Sequence, residues 1–521
     1  MSTNHDQSAD APVFAKIPFA AAVLIVVLLA GALTLFRLGA ADVCTGNEAV
    51  EGVFVQKMVE HGELLFPREN ETVPMYKPPL FHWTGAAIDR TAGITHVTAA
   101  NLRLPSALYA IAGIALTMLF ARGILGADGA ILSGLALIGA YQYIGQGRYG
   151  RVDMTLTFFE ALALFAFVWW MPSDPDVTGA HAREESNFGA LYLMAVAMGL
   201  GVLAKGPVGA LLPGFSILVF MVASGRARQI VTMLDPGAII LGGATASSWY
   251  LACYFSGKAD FLHRQLGAEN TGRFFGSLGA MAPWYYVKPL LLNSAPLSLI
   301  VPIAVAMALF SRFRPKTAAG GTALRPPDPI ALLAIFWVVT VAFFSFAAYK
   351  RRSYLLPLWP ASAVLLAWWV RAEFPIQFRR AATQAFAAMC CMLAAFNFIF
   401  IPHAEIATCK DDSYRPAALE ITLAIGSDAP LYLYGFHEEV APLLFYLDRD
   451  APVITGRLGD APPGYIIMPA GVWKARRNQA AGLEPVLTSD HGKRHLVVVK
   501  QGGSLAMLPL GAVTLNAAPP P

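Results

Sequence analysis

The chain is short of charge. Only 14% of its 521 residues are Asp, Glu, Lys or Arg, while 56% are hydrophobic; a soluble globular protein carries about 25% charged residues. The deficit excludes an ordinary water-soluble protein and points to an integral membrane protein. The net charge of +4 is small, so where the charges sit matters more than their sum, and no nucleic-acid partner is expected. Cysteine is scarce as well: Cys44, Cys253, Cys390, Cys391 and Cys409 are scattered, and no CxxC or Cys/His cluster suggests a zinc site. No internal repeat is visible, and low complexity is confined to the loop 311–329 and the terminal "NAAPPP" (516–521), which is expected to be disordered.

Long apolar runs are what the chain has in abundance. A membrane-spanning helix needs roughly 20 apolar residues, and such runs lie near 17–37, 103–122, 127–146, 153–171, 188–204, 206–224, 234–255, 286–310, 329–348, 353–371 and 379–402, about eleven spans. The first follows a polar head, 1–16, and is too long for the apolar core of a signal peptide, so a retained anchor is expected. Orientation follows from Lys and Arg in short loops. With the head in the cytoplasm, the basic loops 225–229, 311–329 and 371–380 all fall inside. The region after the last span then lies outside. Cys44 and Cys409 share that side; a disulfide between them is open, but two free thiols are the expectation.

The outer side breaks the rule. "GRYGRVD" (147–153) carries Arg148 and Arg151, "AKGP" (204–207) carries Lys205, and "YKRRSY" (349–354) carries Lys350, Arg351 and Arg352; Lys77 and Arg273 join them. One misplaced arginine is noise. A set of cations on one face suggests an anionic ligand, and a lipid phosphate at the membrane surface is the natural candidate. The competing explanation is snorkelling, or pairing with lipid headgroups.

The first outer loop, 38–102, is long. "EAVEGVFVQKMVE" (48–60) places Val50, Phe54 and Met58 on one stripe with Glu51 and Lys57 elsewhere, which predicts a short helix lying in the interface. "PPLFHWTGAAID" predicts a second, with Leu80, Trp83 and Ala87 aligned. In "YKPPLFHW" (76–83), proline disfavours helix at Lys77 and is welcome in a first helical turn. A cation opposes the dipole at a helix start, unless an anion docks there. A second outer segment spans 256–285. From 403 the composition becomes that of a soluble module: 429–435, 451–456, 464–469 and 495–500 read as strands, 439–449 and 470–479 as helices, giving a small outer α/β domain over 403–515.

Taken in order, five segments resemble those of one glycosyltransferase family, that of the protein O-mannosyltransferases and the bacterial aminoarabinose transferases of lipid A. They are "NEAVEGVFVQKMVEHGELLFP" with "KPPLFHW", "RYGRVDMTLTFF" (148–159), "LAKGPVGALLPG" (203–214), "AENTGRF" (268–274) and "YKRRSYLLPLWPA" (349–361). The resemblance covers 17–402. It implies a GT-C fold, all-α and polytopic, in a bacterial cytoplasmic membrane with its active site outside. Such enzymes move a sugar from a polyprenyl-phosphate donor to a lipid, glycan or protein acceptor, typically with inversion. A monomer among membrane lipids is expected.

That reaction needs a carboxylate to accept the acceptor's proton and cations to stabilise the departing phosphate. The family's usual first-loop Asp is Asn47 here, with Glu48 beside it. Glu48 and Asp153 are therefore both candidates for the base, each with helix N-terminal charge as its alternative explanation. An acceptor that is already a phosphate would need no base. Asn47, Lys77, Arg151, Lys205, Arg273, Lys350, Arg352 and Tyr354 are the expected substrate contacts; of the adjacent Lys350, Arg351 and Arg352, the first and third are favoured. Aminoarabinose transferases often have Glu before the lysine, where this chain has Tyr76. No metal ligand set is therefore assigned, no cofactor is required, and a divalent metal is left open. His263 is more simply a hydrogen-bonded bystander. Protein O-mannosylation is the rival activity. A flippase or transporter is the rival of another class, disfavoured by the absence of paired halves.

Overall fold

The computed structural model describes residues 12–70, 73–171, 187–277, 279–311, 328–436, 440–479 and 482–501. The tail 516–521, most of the loop 311–329 and the first eleven residues lie outside the described residues. The chain divides into two compact units, 1–410 and 411–521.

The first unit is helical. Six helices are long and apolar enough to cross a membrane: Ala99–Gly139, Val152–Trp170, Phe188–Lys205, Pro236–Phe255, Pro329–Phe346 and Ile376–Cys409. Phe19–Leu35 and Val208–Ala223 are shorter apolar helices, and Pro283–Leu292 with Leu297–Phe310 is one bent pair, turned by 113°. Leu358–Ala372 adds a buried helix. The two expected spans 103–122 and 127–146 merge into Ala99–Gly139, which begins at a capping box between Thr98 and Asn101. Straight, it would run about 60 Å, twice a hydrocarbon core. It breaks at Gly126, whose φ of 72° is open to glycine and costly for other residues. Beyond the break, Asp128 accepts from Arg371 Nη1 at 2.6 Å and Val13 N at 2.8 Å, tying three segments together.

The packed centre is aromatic and small by turns. Phe120 stacks on Phe165 at 3.8 Å, and Ala163, Phe165, Ala166 and Phe167 are all fully buried. The outward faces remain apolar, with Leu28, Phe215, Ile240 and Met392 exposed, as lipid contact demands.

The first outer loop is not the pair of surface helices its stripe predicts. In the helix Gly46–Glu60, every residue from Glu48 to Gln56 is buried, so the helix sits within protein on all sides. The second, Leu80–Thr91, does show one outward stripe: Phe81, His82, Gly85, Ala86 and Asp89 are buried, while Leu80, Trp83 and Ala87 are not. The loop is also anchored covalently. Cys44 and Cys409 form a disulfide, 365 residues apart, and not the two free thiols expected. The helix Ile376–Cys409 continues past 402 and carries Cys409 to the outer loop.

The second unit is a five-stranded sheet with helices. Its strand order is Val453–Ile454, Leu431–Tyr434, Gly464–Pro469, Arg494–Gln501, Leu483–His491. The first two pairings are parallel and the last two antiparallel. The strand Leu483–His491 and the helix Arg415–Ile425 escape sequence reading. Pro485 hides the strand: proline is confined to edges and bulges, and the register shifts there between Pro485 and Leu487.

Candidate active site

Four of the misplaced cations meet three tyrosines in one cavity. A hollow of about 420 Å³ is lined by Tyr76, Lys77, Arg151, Lys205, Arg273, Tyr349 and Tyr354, by the apolar Val208, Leu211, Phe274, Phe275, Phe343 and Phe344, and by Gln265, Glu269, Asn270 and Thr271. Distant parts of the chain build it. Lys77 stands just before Pro79, the N-cap of Leu80–Thr91. Arg151 caps Val152–Trp170 without using its side chain. Lys205 is the last residue of Phe188–Lys205, and Gly206, at φ 95°, turns the chain into the next helix. A π-helical stretch, His263–Gly272, leads into Arg273; such stretches concentrate at functional sites. It packs so closely that a Cβ on Gly206 would stand 2.5 Å from Gln265 Nε2.

Each cation has an internal carboxylate. Lys77 Nζ lies 2.9 Å from Glu51 Oε1, Arg273 Nη2 lies 2.6 Å from Glu269 Oε2, and Asp153 pairs with Lys205 through Oδ1 and with Arg151 Nη2 at 3.4 Å through Oδ2. Pairing explains how charges can be buried here at all. It is not complete. Among the described residues, Arg151 Nε, Arg273 Nε and Asp153 Oδ2 are buried without a hydrogen-bond partner. Tyr354 is held from two sides, its hydroxyl accepting from Arg273 Nη1 at 3.4 Å and its ring lying under Lys205 Nζ at 4.6 Å.

Four expected contacts are placed differently. Glu48 is buried, but both its oxygens are spent: Arg103 donates to them from Nε at 2.7 Å and Nη2 at 3.0 Å, and Gly150 N donates to Oε1 at 2.9 Å. It faces a second hollow and ties the first loop to the turn 147–151. Lys350 is turned away and donates to the carbonyls of Met281 and Ala347. Arg352 is exposed and lines the second hollow. The middle residue of that trio, Arg351, reaches inward instead: Nη1 donates to Asn47 Oδ1 at 2.7 Å, and Nε and Nη2 donate to Tyr349. Asn47 thus meets an arginine near the site. The segment Arg352–Leu355 is a 3-10 turn, and a tight turn decides which of three adjacent side chains points in.

Sequence reading missed Glu51, His82, Glu269, Arg351 and the Phe343–Phe344 floor. Glu51 had a signal: a lysine held beside apolar sequence needs an acid, and Glu48, Glu51 and Glu60 lie in the helix Gly46–Glu60. Burial pushes the Glu51 carboxyl up, but Lys77 and His82 outweigh it and hold the group at about 2. Burial pulls the Lys77 ammonium down while Glu51 opposes.

The position before Lys77 does not fit a divalent ion. Burial raises the Tyr76 phenol well above its ordinary value, so it offers a neutral hydroxyl in place of a carboxylate. His263 is exposed.

The second hollow, about 530 Å³, takes Tyr149, Arg352 and Ser353 from the same two turns that give the first Arg151, Tyr349 and Tyr354, and is lined by Gln142, Gln146, Arg148, Lys288 and the Cys44–Cys409 bridge, among others. The buried oxygens of Gln146 and Ser353 in its wall have no hydrogen-bond partner among the described residues.

Residues 76–250 match the family model described as dolichyl-phosphate-mannose-protein mannosyltransferase. A protein of Aquifex aeolicus with no assigned function is 25% identical over 346 residues, 66% of this chain and 62% of that one. An undecaprenyl phosphate-alpha-4-amino-4-deoxy-L-arabinose arabinosyl transferase of Pectobacterium carotovorum is 27% identical over 249 residues, 47% of this chain and 41% of that one. The chain thus spans less than two thirds of the length of either relative. Among solved structures, ArnT from Cupriavidus metallidurans bound to undecaprenyl phosphate superposes with a TM-score of 0.73 at 19% identity, covering 91% of this chain and 97% of that one. An Archaeoglobus fulgidus oligosaccharyltransferase gives 0.55 at 12% identity, covering 89% and 71%. The fold is GT-C, in a multi-pass membrane protein, and the chain resembles the glycosyltransferases of that fold.

Proposed function

We propose that this protein is a membrane glycosyltransferase that moves a sugar from a polyprenyl-phosphate donor to an envelope acceptor, a lipid A-like lipid, on the extracytoplasmic face. The observation that carries this is the cavity itself, which brings four cations and a set of aromatic side chains into one hollow. A lipid phosphate has that polarity. Four cations, Lys77, Arg151, Lys205 and Arg273, face three carboxylates, Glu51, Asp153 and Glu269. One positive charge is left over, which matches the single charge of a sugar phosphodiester. As the sugar–oxygen bond breaks, the lipid phosphate gains a second charge, and the unspent Arg151 and Arg273 donors are placed to receive it.

Asp153 is the base in this mechanism. Lys205 occupies Oδ1, and Oδ2, 3.4 Å from Arg151 Nη2 and without a hydrogen-bond partner among the described residues, takes the acceptor's proton. The three bonds that Glu48 accepts, two from Arg103 and one from Gly150 N, favour Asp153 over it for that role. The second hollow, which shares those two turns with the first and bears Lys288 and Arg352, suits an anionic, hydroxyl-bearing acceptor. The disulfide supports an oxidising compartment, as does the pattern of basic loops. The dolichyl-phosphate-mannose family match keeps protein O-mannosylation as the second reading.

The test is transfer from labelled polyprenyl-phosphate sugar in membranes containing the protein. Label in lipid is expected. Label in protein would favour the second reading, and no transfer together with no binding of undecaprenyl phosphate would overturn both.

A further inference from the structure

Glu51 and His82 belong to neither the cation set nor the candidate bases, yet both are fully buried beside the cavity. They come from the two helices of the first outer loop, Gly46–Glu60 and Leu80–Thr91. Glu51 is divided between two partners: Oε1 accepts from Lys77 Nζ at 2.9 Å, and Oε2 lies 2.7 Å from His82 Nε2. His82 is in turn clamped edge-to-face between Phe54 and Phe81, with ring centroids 5.7 and 5.5 Å away. Its Nδ1 is buried without a partner among the described residues. A carboxylate oxygen only accepts, so it is the hydrogen on His82 Nε2 that is donated to Glu51. Each carboxylate oxygen then has one donor, and the carboxylate cannot rotate.

We propose that Glu51, held by His82, is a positioning residue for Lys77: it aims the ammonium into the cavity and keeps it charged there, and so sets donor affinity without touching the donor. This rests on the donor site proposed above. The same helix gives the contrast that supports it. Glu48, one turn earlier, spends its carboxylate on Arg103 and a backbone amide away from the cavity. Glu51 spends its own on a side chain that lines it.

The charged groups acting on Lys77 come from every element around it. Glu51 and Asp153 favour the ammonium, Arg151 and Lys205 oppose it, and burial opposes it most; His82 lies behind Glu51 on the helix that follows the lysine. Without Glu51 the balance turns against the charge.

The experiment is binding of undecaprenyl phosphate to the full-length protein in detergent, from pH 7 upwards, for wild type and Glu51→Gln. A phosphate monoester with a second pKa of about 6 is already dianionic above about pH 8, so changes there report the protein. Glu51→Gln is expected to weaken binding at pH 7 about tenfold, the scale of one charge-assisted hydrogen bond. It is also expected to add a loss of affinity on the alkaline side at lower pH than in wild type. Wild-type protein that does not bind undecaprenyl phosphate refutes the donor site itself. Wild-type binding, with Glu51→Gln equal to it in affinity and pH profile, refutes the positioning role alone. If Glu51→Gln does not fold, Lys77→Met is compared with Lys77→Met/Glu51→Gln, which removes both charges and leaves neither buried alone. Equal affinities mean that Glu51 acts through Lys77; a further tenfold loss in the double variant means that it does not.

Discussion

Arg148 and Arg151 are three residues apart in one turn, and they do opposite work. Arg148 is buried and saturated: Nη1 donates to the carbonyls of Leu33, Thr34 and Phe36, and Nε and Nη2 donate to Glu405. Arg103, in the wall of the same hollow, is likewise saturated by Glu48 and the carbonyls of Leu38, Ala41 and Asp42. These arginines close the end of the helix Phe19–Leu35 and the chain that follows it. Arg151 has one ion pair, at 3.4 Å, and a buried Nε with no partner. Residue type does not separate a structural arginine from a ligand-binding one; unspent hydrogen-bonding capacity does.

The carboxylates divide in the same way, and there the largest effect is expected. Asp153→Asn should lower the transfer rate about 10²–10⁴-fold, the usual range for a lost general base, and should lower the melting temperature as well, since it leaves the buried Lys205 and Arg151 without their shared carboxylate. Glu48→Gln should lower the melting temperature by breaking a buried pair but leave donor affinity within about twofold. Rates measured beside melting curves decide. A Glu48→Gln protein that is stable but inactive would exchange the two roles.

The arginines themselves come next. Arg151→Ala should weaken undecaprenyl phosphate binding roughly 10–100-fold, as expected for lost charge-assisted hydrogen bonds, with a smaller loss of stability than Arg148→Ala because Asp153 keeps Lys205 as a partner. Arg148→Ala should cost about 3–5 kcal/mol of stability, the range for breaking a buried ion pair, with donor affinity retained in whatever folds. Equal stability losses in both variants would remove the distinction drawn here.

A third effect falls on the wall of the second hollow. Replacing Cys44 or Cys409 by serine opens a bridge across 365 residues. Removal of a native disulfide costs about 2–5 kcal/mol in small secreted domains, and a smaller loss is expected where the apolar helices remain in the bilayer. Melting with and without reductant measures it. Donor affinity should not move, since neither cysteine lines the cationic cavity.

Much of this was legible in the chain. Long apolar runs dictate helices in lipid, so the helical unit follows from composition and length, and the misplaced outer cations pointed to Lys77, Arg151, Lys205 and Arg273, which do share one cavity. Three things were not legible. Which of Lys350, Arg351 and Arg352 points inward depends on a 3-10 turn, and charge counting cannot resolve rotation. Glu48 and Glu51 look alike on a helix; only the positions of Arg103 and Lys77 tell them apart. Burial of Gly46–Glu60 on every side comes from tertiary cover, which a hydrophobic stripe does not record.

The smallest expected effect lies at Gly206, where the cationic cavity depends on a close approach and not on charge. Its φ of 95° already disfavours a side chain, and a Cβ would stand 2.5 Å from Gln265 Nε2 and 3.2 Å from Asn270 Nδ2. These belong to the π-helical stretch that ends at Arg273. Gly206→Ala must therefore displace the buried Gln265 side chain, and is expected to push that stretch away from Lys205, at an overpacking cost of about 1–3 kcal/mol. Arg273 should retreat with it, and undecaprenyl phosphate binding should weaken several-fold while Arg148, Glu48 and the second hollow keep their contacts. An alanine variant that binds like wild type would mean that Arg273 reaches the phosphate from a segment free to adjust, and that tight packing of the π-helical stretch is not what aims it.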